Sequence, residues 1–135
     1  MNDTISRLRD AMNRHDVEGM AALFAPNYRS EQPVHPQRGF GGRDQVAANW
    51  AQMFEGVPDL EVGVVKESTD GMTSWSEWVW RGSHRDGTPF LMKGVTVFGL
   101  GDDGLIAWAR LYMEPVEHGG TAIDEAVLHL SGSSR

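Results

Sequence analysis

Apolar positions fall into two regimes along the chain. Up to Phe54 they recur every three or four residues, the spacing that lines one face of a helix. Ile5, Leu8 and Met12, with Ala11, form the first such stripe, behind a cap at Asp3 or Thr4. Val17, Met20, Ala21 and Phe24 form a second, opened by Asp16 and stopped near Pro26. The stretch from Tyr28 to Gly42 carries Pro33, Pro36 and three glycines, so it predicts an extended segment followed by a loop. Val46, Trp50, Met53 and Phe54 make the third and clearest helix, which Gly56 and Pro58 end.

From Leu60 onward the pattern is that of strands. Segments 60–68, 72–84, 89–100 and 105–114 are separated by Thr69-Asp70-Gly71, Arg85-Asp86-Gly87 and Gly101-Asp102-Asp103-Gly104, all hairpin-turn sequences. Helices first and hairpin-linked strands after predict an α+β fold, with helices packed on one face of an antiparallel sheet. Residues 1–135 read as one domain. Residues 117–135 form a tail of open structure, in which Ile123, Ala126, Val127 and Leu130 suit a short amphipathic helix and 131–135 a frayed end.

The strand 72–84 carries the most chemistry and also an ambiguity. Alternation puts Trp75, Glu77, Val79 and Arg81 on one face and Ser76, Trp78 and Trp80 on the other. If the first face points inward, Glu77 is a carboxylate held among apolar groups, costly to bury and a candidate general acid or base. Trp78, Trp80, Trp108, Arg110 and Tyr112 would then lie on the outer face, an apolar patch suited to a homodimer. The opposite parity makes a tryptophan cage of the pocket and leaves Glu77 in water or paired with Arg81.

Composition narrows the function. With 40% hydrophobic and 23% charged residues, disorder is not expected. The net charge of -7 lacks the basic footprint of a nucleic-acid binder, and no basic cluster suggests an anionic membrane. There is no cysteine, so disulfides and thiolate chemistry are excluded. The histidines show no metal-ligand spacing, no phosphate-binding glycine loop follows a strand, and no Gly-x-Ser-x-Gly elbow occurs. No metal and no cofactor are therefore expected. The N-terminus lacks a signal-peptide pattern and no run could span a bilayer, which makes the cytoplasm the expected location.

Several local sequences carry a resemblance. Gly42-Arg43-Asp44 opening the third helix, Arg81-Gly82, Gly94-Val95-Thr96-Val97-Phe98 and Gly104-Leu105-Ile106-Ala107-Trp108-Ala109-Arg110-Leu111-Tyr112 resemble the NTF2-like superfamily, with its SnoaL-like and ketosteroid-isomerase-like members. The resemblance runs from Ile5 to Val116. It implies a cone in which a strongly curved antiparallel sheet wraps against the helices and encloses an apolar pocket, with homodimers common. The family's familiar acids do not carry over. Leu111 stands where SnoaL-type cyclases and limonene epoxide hydrolase place an acid, and Glu77 and Val79 stand at the hydrolase Arg-x-Asp positions. The first helix has no tyrosine.

These readings nominate Glu77 as acid/base, with His35, in the loop at the expected pocket mouth, and Tyr28 as polar partners. Ser30 and Gln32 alternate with Tyr28 and match, loosely, the polar segment of the epoxide-hydrolase relatives. Met12, Trp50, Phe54, Trp75, Val79, Arg81, Met92, Phe98, Leu111 and Met113 complete the substrate-binding set, as pocket lining or plain core. The expected function is cofactor-independent proton transfer on a hydrophobic carbonyl- or ring-bearing metabolite, of isomerase, cyclase, dehydratase or hydrolase type. A non-catalytic binder of an apolar small molecule and a dimerisation module are the alternatives.

Overall fold

A computed structural model describes residues 1–133. Helix α1 (Asp3–Asn13) is capped by Asn2, not by Asp3 or Thr4: the Asn2 side chain accepts from the amides of Thr4 at 2.9 Å and Ile5 at 3.4 Å. Its stripe of Ile5, Leu8, Ala11 and Met12 is buried. Helix α2 (Val17–Ala21) starts as expected at Asp16, whose carboxylate accepts from the Gly19 amide. It ends before Phe24, which instead begins strand β1 (Phe24–Glu31). Tertiary contacts override the helical spacing there. The Ile106 amide donates to Leu23 O, and the Arg43 guanidinium donates twice to Phe24 O, at 3.0 and 2.5 Å.

A 3-10 turn (Pro36–Arg38) and the two-residue strand β2 (Phe40–Gly41) lead into helix α3 (Arg43–Gly56). Strands β3 (Glu61–Asp70), β4 (Thr73–Ser83), β5 (Pro89–Leu100) and β6 (Ile106–Pro115) then form the hairpins. Gly71, Gly87 and Gly104 take φ of 60°, 88° and 79° at the three turns, the left-handed region that Asp-Gly turns need. The sheet order is β2-β1-β6-β5-β4-β3. Each pair is antiparallel except β1 with β6, which is parallel because the helical half of the chain enters the sheet as a crossover.

The open edge at β3 is partly occupied by the helices. Asn13 donates to Val62 O at 3.0 Å and accepts from Val62 N at 2.7 Å, so one side-chain amide continues the ladder. His15, at φ 55°, bonds Leu60 O through Nε2 at 2.8 Å and stacks on Phe54 with centroids 4.2 Å apart. These contacts fix α1 and α3 over the sheet and set the shape of the space between.

Strand β4 takes the parity opposite to the one that makes Glu77 catalytic. Ser74, Ser76, Trp78 and Trp80 point into the core, with Trp78 2% and Trp80 8% exposed. Trp75 is 51% exposed, Glu77 and Arg81 are exposed and Val79 is half-buried on the outer face. Burying two indoles returns far more apolar area than burying Trp75 and Val79 beside two charges. Strand β6 has the expected parity: Ala109 and Met113 are buried, while Arg110 and Tyr112 face out. The outer patch therefore consists of Trp75, Val95, Tyr112 and half-buried Trp108, whose ring lies 4.8 Å under the Arg110 guanidinium. Trp78 and Trp80 do not belong to it.

In the tail, helix α4 (Ile123–Leu130) forms, with Ile123, Val127 and Leu130 exposed and no residue buried. Of the end expected to fray, residues 134 and 135 lie outside the described residues.

Candidate functional site

Between the helices and the inner face of the sheet lies a cavity of about 180 Å³. Helix α1 supplies Leu8 and Met12, α2 supplies Met20, and α3 supplies Val46, Trp50 and Met53. The sheet contributes Trp78, Trp80, Phe98 and Leu111. The polar groups are few and neutral. Tyr28, Ser30 and Gln32 come from β1 and the residue after it, Asn49 from α3 and Thr96 from β5. Strand alternation explains the β1 set, since every second residue faces the same side. Among the described lining residues there is no Asp, Glu, His, Lys or Arg.

Tyr28 is the one conventional ionisable group among the described lining residues. It is 3% exposed, and its ring meets Phe24 edge-on at 4.8 Å and Phe40 at 6.1 Å. Burial pushes its phenol from the ordinary 10.0 up to about 12, with the neighbouring Ser30 hydroxyl pulling the other way. The hydroxyl is therefore neutral at every physiological pH and offers a proton for hydrogen bonding.

The two inward tryptophans differ in how their N–H groups are satisfied. Trp78 Nε1 donates to Ser76 Oγ at 2.7 Å, and Ser76 Oγ donates to Thr96 O at 3.3 Å. Trp80 Nε1 is buried and finds no acceptor among the described residues, an omission that costs about 1–3 kcal/mol. Trp80 packs edge-to-face on Trp50, with centroids 5.1 Å apart and planes at 77°.

The expected site residues separate accordingly. Tyr28, Ser30, Gln32, Met12, Trp50, Phe98 and Leu111 do line the cavity. Phe54 and Met113 are buried in the surrounding core, where Phe54 is held between His15 and Trp50, and Met92 is partly buried against it. Trp75, Val79 and Arg81 lie on the outer face with Glu77, for the reason of parity given above. Glu77 faces Lys66 and Val95 in the ladder. His35 does not meet it: His35 Nε2 bonds Glu114 Oε1 at 2.6 Å, because the loop after β1 runs beside the end of β6. The acid/base dyad expected of Glu77 and His35 is not assembled.

Sequence reasoning missed Trp78, Trp80, Thr96, Asn49 and Phe40 as lining residues, and read Leu8, Met20, Phe24, Val46 and Met53 only as members of helical stripes. The two indoles were legible in the alternative parity. Thr96 follows from register, since it pairs with Ser76 on one side and Leu111 on the other. Among the described residues no group of three or more His, Cys, Asp or Glu could hold a metal ion, and no helix is long and apolar enough to cross a membrane.

A helical layer closing an apolar cavity against a curved mixed sheet defines an NTF2-like α+β cone. Residues 5–109 match the SnoaL-like domain family, and the chain belongs to that family. No curated protein matches the sequence. Solved structures similar to it include RV0760c from Mycobacterium tuberculosis in complex with estradiol-17beta-hemisuccinate, 21% identical over 81% of this chain and 89% of that one, with a TM-score of 0.70. A candidate SnoaL-like polyketide cyclase from Jannaschia sp. CCS1 is 25% identical over 83% of each chain, with a TM-score of 0.71. A candidate ketosteroid isomerase from Kribbella flavida DSM 17836 is 19% identical over 92% of this chain and 84% of that one, at 0.70.

Proposed function

We propose that this chain is a cytoplasmic, cofactor-independent protein that takes a hydrophobic, neutral carbonyl- or ring-bearing small molecule into its cavity and polarises the ligand oxygen with neutral donors. The observation that carries this is the lining: an apolar enclosure whose polar groups are hydroxyls and amides, with a phenol held neutral by burial. A charged ligand would lose its hydration there with no counter-ion among the described lining residues. An oxygen that gains negative charge in an enolisation or ring-opening step would gain most from Tyr28, because a donor aimed at developing charge in a dry site is worth about 10²–10³ in rate. The isomerase- and cyclase-type relatives named above support that class of reaction.

The second reading is a binder without turnover, and it is favoured by one observation. Proton abstraction needs a base, and the described lining residues include no carboxylate or imidazole. Calorimetry with neutral aromatic ketones, followed by turnover assays on those that bind, separates the two. An enzyme loses rate but little affinity in Tyr28→Phe; a binder shows no turnover in either form. Binding of charged analogues in preference to neutral ones would sink both readings.

The expected homodimer would use the outer face as Trp75, Val95, Trp108 and Tyr112 form it, with Arg110 at its edge. Light scattering that returns a monomer would rule it out.

A further inference from the structure

Strand β4 sends two indoles into the core and satisfies only one of them. The Trp78 N–H is taken up by Ser76, its inward neighbour two residues earlier. Trp80 Nε1 is the buried side-chain polar atom left without a partner among the described residues. Its surroundings explain why. The residues opposite Trp80 on the two flanking strands are Val62 and Met92, which offer hydrocarbon and a thioether but no good acceptor. The ring lines the cavity in edge-to-face contact with Trp50, and its N–H is closed to water. Tyr28, Ser30 and Thr96 can each rotate a hydroxyl toward whatever is present. The indole is a donor only, and its direction is fixed by the ring.

We propose that Trp80 is a specificity-determining residue, whose indole N–H is kept for a hydrogen-bond acceptor of the cavity ligand. It selects a carbonyl, ether or hydroxyl oxygen over a hydrocarbon of the same shape. The proposal rests on the reading that the cavity holds a small molecule, and it names the feature that molecule must carry. A ligand with the oxygen satisfies the orphan donor; a hydrocarbon fills the same space and leaves it unpaired. Sites built around a buried donor discriminate in this way because the analogue that lacks the partner strands a polar group.

The test uses the purified full chain with 1-tetralone and tetralin, which differ by a carbonyl in place of a methylene. Affinities come from calorimetry, and the Trp80 indole N–H is followed in a nitrogen–proton correlation spectrum with its signal assigned by through-bond experiments. Tetralone should bind about threefold to tenfold more tightly than tetralin, and it alone should move the Trp80 indole signal downfield. Trp80→Phe should equalise the two affinities, weakening tetralone more than tetralin. Equal wild-type affinities with no selective shift at Trp80, as an N–H held on the Trp50 ring face would give, overturn the proposal and leave the cavity reading standing. Failure of both compounds to bind overturns both. If Trp80→Phe does not fold, the wild-type affinities and the indole signal decide alone.

Discussion

The neutral phenol at the cavity wall makes stability depend on pH in a calculable way. Tyr28 is almost wholly buried, and burial raises its pKa from 10.0 to about 12. In the unfolded chain the phenol releases its proton as pH passes about 10, while in the folded chain it keeps it to about 12. Between those values the unfolded state binds fewer protons, so stability falls as pH rises. The contribution is fully present below pH 10 and is lost through pH 12, a total of about 2–3 kcal/mol, of which about 1.4 kcal/mol is gone by pH 11. Because the side chain is so little exposed, solvent screening takes little from this figure. Urea unfolding at pH 8, 10 and 11, read by tryptophan fluorescence, measures it in wild type and in Tyr28→Phe. Contributions that do not involve Tyr28 are common to both proteins and cancel in the difference. Wild type should lose about 1.4 kcal/mol more than the variant between pH 8 and pH 11. Two curves that fall in parallel, within about 0.3 kcal/mol, would mean that the phenol is not desolvated, and the neutral-donor account of the cavity would go with it.

Three further outcomes test the placement of other residues. Trp78→Ala should cost about 3–5 kcal/mol in chemical denaturation, while Trp75→Ala on the exposed face should cost under about 1 kcal/mol; equal losses would refute the parity of β4. Glu77→Gln should change stability by no more than about 0.5 kcal/mol and leave ligand affinity untouched, and a tenfold affinity loss by calorimetry would return Glu77 to the site. Asn13→Ala removes both bonds to Val62 and should lower stability by about 1–3 kcal/mol, with faster hydrogen exchange at the Val62 amide as the specific mark.

The fold was legible because its signals are local and repeated. Asp-Gly turns fixed three hairpins, apolar spacing fixed α1 and α3, and the motifs from Gly42 to Tyr112 pointed to the right family. What local pattern could not supply was the β1–β6 pairing. Phe24 sits at helical spacing from Met20 and Ala21, yet hydrogen bonds from Arg43 and Ile106, 19 and 83 residues away from their partners Phe24 and Leu23, draw the chain into the sheet. Non-local bonds of that kind leave no periodic trace. The same holds for His35, whose partner Glu114 lies 79 residues on.

The parity of β4 is a different matter, because the sequence did contain the means to decide it. One face offers Trp75 and Val79 but would bury Glu77 and Arg81, which sit on the same side and find no ion pair with each other among the described residues. The other offers Trp78 and Trp80 beside two serines. Each indole buries about 150–250 Å², so the second face gains the larger area, and its small hydroxyls can take up an indole N–H at little cost. The first face carries a desolvation penalty of several kcal/mol per charge unless each charge is paired. Weighing area and charge together, instead of asking which face holds a carboxylate, favours the observed register. The same weighing explains the character of the site. A strand that turns its charges outward and two of its three tryptophans inward builds a cavity whose chemistry must come from hydroxyls, amides and indole N–H groups, and those are the groups that meet there.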